Sequence, residues 1–149
     1  MTIQRTLLML SVALSGCQYL GDPDQFRVEH LDQSQVAEVK SAMREWNAAL
    51  DGAQELELNE DGGSIVSVTD WNSDAAGDCV SAGPSGSRIR VKPGLTSIQF
   101  RNVVLHELGH HLGCFHGDGV MAPDSEREIV ETLTQDDIDC AKTIGAKVL

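Results

Sequence analysis

Basic residues are scarce in this chain. Its 149 residues hold 11 Lys and Arg against 23 Asp and Glu, a net charge of −12. A nucleic-acid partner needs clustered Lys and Arg, so that class is excluded, and the acidic balance reads as a solvated surface. Long apolar runs are missing too. The apolar stretch nearest the N-terminus, Thr6 to Leu14, falls well short of the ~20 residues that cross a bilayer as a helix. No internal repeat or low-complexity tract appears. What remains is a globular composition, 41% hydrophobic, of a length that suggests one domain able to bury its own core.

The N-terminus reads as a signal rather than as fold. Arg5 supplies a positive start, the stretch to Leu14 is apolar, and small residues lead to Cys17. Leu14-Ser15-Gly16-Cys17 resembles the lipobox of bacterial lipoproteins. That resemblance implies a signal peptide over residues 1–16, cleavage before Cys17 and lipidation of Cys17. A multi-acyl anchor would tether the protein firmly. Gln18 stands where the resembled lipoproteins carry the Asp that keeps them at the inner membrane. The expected place is therefore extracytoplasmic, on the outer membrane or cell surface, with plain secretion as the alternative. Losing residues 1–16 removes only Arg5, leaving 10 basic against 23 acidic residues and a net charge of −13. Residues 17–30, polar and holding Gly21 and Pro23, are expected to be a tether, and residues 31–149 the folded domain.

Val36, Val39, Met43, Trp46 and Leu50 recur at helical spacing. Asp32 and Gln35 are placed to form a reciprocal cap, and Asp51-Gly52 to stop the helix. Short strands are expected over 55–59, 64–69 and 87–92, separated by the turn at Asp61-Gly62-Gly63 and by a loop-like stretch over 72–87. A second helix should start near Thr96, capped with Gln99, bury Phe100, Val103, Val104 and Leu108, and end at Gly113. A last helix should begin near Thr134. Asp136 and Asp137 suit its positive end, and Ile138, Ala141 and Ile144 lie on one face.

The second helix carries the chemistry. Residues 106–116 read HELGHHLGCFH. His106 and His110, four apart, present two imidazoles on one helix face. Gly113 lets the chain turn sharply, and His116 can swing back as a third ligand. Three histidines suit one zinc ion with its fourth position open to water, the catalytic arrangement rather than the closed structural one. Glu107 sits beside the first ligand, where it can act as general base on a zinc-bound water. His111 points to another face and is not expected to be a ligand. His30 is assigned no role.

At these residues the chain resembles the metzincin zinc peptidases, in particular the matrixins. That family carries HExxHxxGxxH followed by a turn with a methionine beneath the metal. Gly119-Val120-Met121-Ala122-Pro123 resembles that Met-turn, and residues 133–145 resemble the matrixin C-terminal helix. The resemblance implies an α+β zincin domain: a twisted mixed sheet, two long helices and a C-terminal helix. It also implies endopeptidase activity on an extended polypeptide held along an edge strand, that strand lying somewhere in 79–92, and a monomer. Two departures stand out. Only four residues separate His116 from Met121, and Ala122-Pro123 replace the tyrosine ligand of some metzincin groups. The only tyrosine, Tyr19, lies beside the signal peptide.

Apart from Cys17 the chain has Cys79, Cys114 and Cys140, enough for one disulfide and one thiol. Spacing does not choose the pair. In the resembled fold the last helix packs near the zinc-site turn, which implies Cys114–Cys140, with Cys79–Cys114 as the alternative. Two functions compete: a surface zinc endopeptidase, and a zinc-holding surface lipoprotein that binds proteins without cutting them. Glu107 favours the first, because a non-catalytic site has no need of it.

Overall fold

The computed structural model describes residues 24–81, 86–123 and 132–145. Among these residues, five strands and three α-helices follow in the order β1 (Gln25–Glu29), α1 (Gln33–Leu50), β2 (Glu57–Leu58), β3 (Ser64–Val68), β4 (Gly77–Ser81), β5 (Ser87–Val91), α2 (Ser97–His111) and α3 (Gln135–Gly145). The strands form one sheet in the order β2-β1-β3-β5-β4. β1 runs parallel to β2 and β3, and β3 parallel to β5; β4 closes one edge antiparallel to β5. This is a mixed α/β domain, compatible with the α+β expectation.

Both long helices start as the sequence dictates. Asp32 accepts the Gln35 N–H and Gln35 returns the bond to the Asp32 N–H; Thr96 and Gln99 repeat the arrangement on α2. Each such cap contributes about 1 kcal/mol by satisfying amides with no helical partner. Asp51 ends α1 in the left-handed region. α1 and α2 pack on each other. Their contact is pinned by the buried Trp46, whose Nε1–H donates to the Leu105 carbonyl at 2.9 Å. Val39, Met43, Trp46, Phe100, Val104 and Leu108 are buried together with Phe26, Val66 and Ile89 from the sheet.

Two strands differ from the expectation. Residues 25–29, expected in the tether, form β1, which lies inside the sheet with Phe26 wholly buried. The alternation Phe26, Val28 was too short to stand out from its polar surroundings, and only pairing on both sides makes it a strand. Residues 77–81, expected in a loop, form β4. Gly77 and Asp78 are poor strand formers; register with β5 overrides them, and Asp78 pairs with Arg90 directly across the ladder. The expected lipidation at Cys17, its signal peptide and the first part of the tether lie outside the described residues.

Candidate metal centre

α2 is buried almost all round. From Phe100 to Gly109 every residue but Arg101 is in the interior. His106 and Glu107 are therefore enclosed, while His110 is half-buried and His116 exposed on the following loop. That loop turns at Gly113, whose φ of +94° lies in the left-handed region open to glycine. The turn carries the chain back, so that one ring nitrogen from each of His106, His110 and His116 lies within 4.8 Å of the others. The three expected ligands converge.

Their protonation follows from their partners. The His106 Nδ1 lies 2.7 Å from the Val120 carbonyl, and the His110 Nδ1 lies 2.8 Å from the Cys114 carbonyl. A carbonyl only accepts, so each Nδ1 carries the proton and donates it. In a neutral imidazole this leaves Nε2 with its lone pair for a metal, as in most histidine ligands. The Nε2 atoms of His110 and His116 are 3.2 Å apart. Two nitrogens each 2.0–2.1 Å from a tetrahedral zinc would be about 3.4 Å apart. The donor type, the tautomers of His106 and His110, and the spacing of this one pair are compatible with a zinc ion.

Met121 lies in a short 3₁₀ turn, Gly119–Met121, and is buried. It packs against the backbone of α2 at Gly109, between the first two ligands: a Cβ there would collide with the Met121 sulfur and meet Trp46 Cζ2 at 3.2 Å. Only glycine lets the turn approach this closely. Met121 thus packs against α2 between the first two expected ligands. Cys114 and Cys140 are joined, with Cα atoms 5.9 Å apart, tying the ligand loop to α3. Cys79 is the remaining thiol among the described residues.

His111, set apart from the ligands by its helix face, is structural. Its Nδ1 lies 2.9 Å from Ser87 Oγ, its Nε2 3.2 Å from Asp24, and its ring meets the edge of Phe26. Burial alone would raise the Asp24 carboxyl, but hydrogen bonds from His111 and Gln54 bring it below its ordinary value.

A cleft of about 640 Å³ opens over the histidines. Glu107 lines it together with Asp74, Gly77, Asp78 and Cys79. Edge strand β4 therefore forms one wall. Gly77 is required there, since a Cβ would strike Val103 and lie 3.0 Å from Glu107 Oε1. Burial pushes the Cys79 thiol up to about 12, and the charges of Glu107 and Asp78 act in the same direction against a hydrogen bond from Ser87.

The resemblance placed an edge strand somewhere in 79–92, which overlaps β4; Gly77 and Cys79 themselves were not singled out, because they carry no motif and reach the site only through the sheet. Sequence reasoning also gave Asp137 only a helix-dipole role. Asp137 is in fact buried and accepts from the N–H groups of Val120, Met121 and Thr134 and from the Thr134 hydroxyl. The spacing Thr134-x-x-Asp137, a capping-box pattern, was the available signal.

No family model and no curated protein matches this chain. In fold the chain is similar to a chain of the ECX AB5 holotoxin, solved in its GM1-bound form. The TM-score is 0.61 at 16% sequence identity, over 81% of this chain and 79% of that one. At that identity the likeness is one of fold.

Proposed function

We propose that this domain is a metzincin-like zinc endopeptidase. The observation that carries the reading is the pairing of His106 and His110 with backbone carbonyls through Nδ1, which aims two Nε2 lone pairs at the point His116 also reaches, beside the buried Glu107. His106, His110 and His116 would hold one zinc ion. Bound there, zinc would polarise the scissile carbonyl and acidify water. Glu107 lines the same cleft. Its carboxylate takes a proton from the water that attacks the carbonyl carbon. It returns that proton to the departing nitrogen as the C–N bond breaks. β4, the last strand of the sheet among the described residues, would offer backbone groups to an extended polypeptide substrate, which would add as a further strand. Met121 supports the ligands from below.

The N-terminal pattern completes the reading. Cys17 would carry lipid, and the domain would work outside the cytoplasm as a membrane-anchored lipoprotein. The Cys114–Cys140 disulfide suits that setting.

The test is zinc content and peptide cleavage by the purified protein, with Glu107→Ala as control. The expected result is one zinc in both and cleavage lower in the variant by about 10²–10⁴. A wild type that holds zinc yet cuts nothing above the control would instead be a zinc-holding binding module. Cys17→Ser should release the protein from membranes; unchanged association would refute the lipid anchor.

A further inference from the structure

The two ends of the domain carry different surfaces. At one end the Asp24 carboxylate meets His111 at 3.2 Å and Gln54 at 2.7 Å. His111 is the last residue of α2, and it also meets Ser87 at the start of β5, which pairs with Ser81 at the end of β4. Ser81, Ser87, His111, Gly113 and Phe115 border one recess. The start of β1, the end of α2 and the loop that follows it therefore share this end. The start of α2 lies at the other end, where Ile98 is about 20 Å from His111 along the helix.

Exposed apolar side chains gather at the Asp24 end. Among the described residues three large ones are exposed, Val80, Ile98 and Phe115. Val80 adjoins Ser81, and Phe115 borders the recess, so two of the three lie here. Phe115 is 85% exposed, against 52% for Ile98. Its loop is braced, because the preceding Cys114 is bonded to Cys140 on α3. A phenyl ring held open in this way loses little freedom when it is covered. The residues that border the recess include no carboxylate, in a chain with 23 acidic residues, and Asp24 is turned onto His111 and Gln54. An open ring with few negative charges around it suits the boundary between headgroups and acyl chains.

The length of chain ahead of this end names what covers it. Asp24 comes seven residues after Cys17, and seven residues reach at most about 25 Å. We infer that the domain stands on the membrane on its Asp24 end, with Phe115 set into the bilayer interface. This rests on the reading of Cys17 as the lipid-bearing residue, which puts Asp24 within that reach of the bilayer. The tether bounds the height of the domain, and the exposed ring selects the face that turns down. A multi-acyl anchor already supplies the attachment, so Phe115 sets the orientation.

The experiment places the lipid-bearing full chain, purified from membranes, in phosphatidylcholine vesicles with ordinary or brominated acyl chains. Bromine quenches tryptophan that reaches the acyl region. Phe115→Trp and Ile98→Trp are each read against the wild type, which has Trp46 and Trp71 of its own. The expected result is that the emission added by Phe115→Trp is blue-shifted in vesicles and quenched by brominated lipid, while that added by Ile98→Trp is neither. No quenching in Phe115→Trp, or equal quenching in both, overturns the inference. Mass spectrometry of the Cys17 peptide tests the anchor separately. If it finds no acyl chain, the anchor reading fails and flotation of the lipid-free protein with vesicles decides alone. Flotation that falls about tenfold in Phe115→Ala, the loss expected for one buried ring, then upholds the contact; flotation that is absent, or unchanged in the variant, removes it. Self-association of the wild type that Phe115→Ala abolishes, without quenching in vesicles, would give the ring to a second copy of the chain and also overturns the inference.

Discussion

The Asp137 carboxylate accepts the backbone N–H of Met121 at 3.2 Å, and its other oxygen accepts that of Val120 at the same distance. The Val120 carbonyl in turn receives the His106 Nδ1–H. A buried acid at the start of α3 thus sets the turn that orients the first ligand.

Replacing Asp137 with alanine should therefore weaken fold and metal site together. Two buried backbone amides lose their acceptor, each costing about 1–3 kcal/mol. A stability loss of about 3 kcal/mol is expected in denaturant unfolding, with zinc affinity lower by about tenfold or more through the misplaced Val120 carbonyl. Asp137→Asn keeps an acceptor and should lose less. Wild-type stability and zinc affinity in the alanine variant would remove this role.

Gly109→Ala sets two effects against each other. Alanine improves helix propensity by about 1 kcal/mol. The added methyl, however, would occupy the space of the Met121 sulfur beneath α2. Overpacking a core costs about 1–3 kcal/mol, so net destabilisation is expected. The penalty should shrink in a Met121→Ala background, where the clash is gone. A double-mutant cycle measures this, and a coupling near zero would mean that the two residues do not meet.

The Cys114–Cys140 bond closes 26 residues. The chain-entropy relation gives about 3.5 kcal/mol for a loop of that length. Cys140→Ser should lower the unfolding midpoint accordingly and also loosen the loop that bears His116. Zinc affinity measured by chelator competition should fall with it; an unchanged affinity would show that the loop is held by other contacts.

Cys79 should be chemically quiet. With the thiol raised from 9.0 to about 12 in the folded protein, the thiolate population at pH 8 is about a thousandfold smaller than in the unfolded chain. Alkylation of the native protein should be slow, and fast once denaturant is added. The linkage has a definite sign. Between pH 9 and 12 the unfolded chain releases this proton while the folded chain keeps it, so stability falls as pH rises through that window. Cys79→Ala should flatten the fall. Rapid native labelling at pH 8 would contradict the raised pKa of this half-buried thiol.

The helices were legible because their signals are local. Asp32 with Gln35 and Thr96 with Gln99 are reciprocal caps three residues apart, and each starts a helix where expected. The spacing of His106, Glu107 and His110 is equally local, and the turn at Gly113 needs a conformation that glycine allows cheaply. Those residues marked the candidate ligand set and its candidate base without reference to the rest of the chain. Two strands were not legible, β1 inside the sheet and β4 at its edge. β1 and β4 are held by partners far away in the chain, Phe26 beside Ser64 and Gly77 opposite Val91, and neither segment has enough intrinsic strand preference to show its state alone. The cleft wall, the Phe115 recess, the buried Asp137 brace and the choice of Cys140 over Cys79 as the partner of Cys114 all depend on which elements meet. Packing decides such meetings, and a pattern of neighbours along the chain does not contain them.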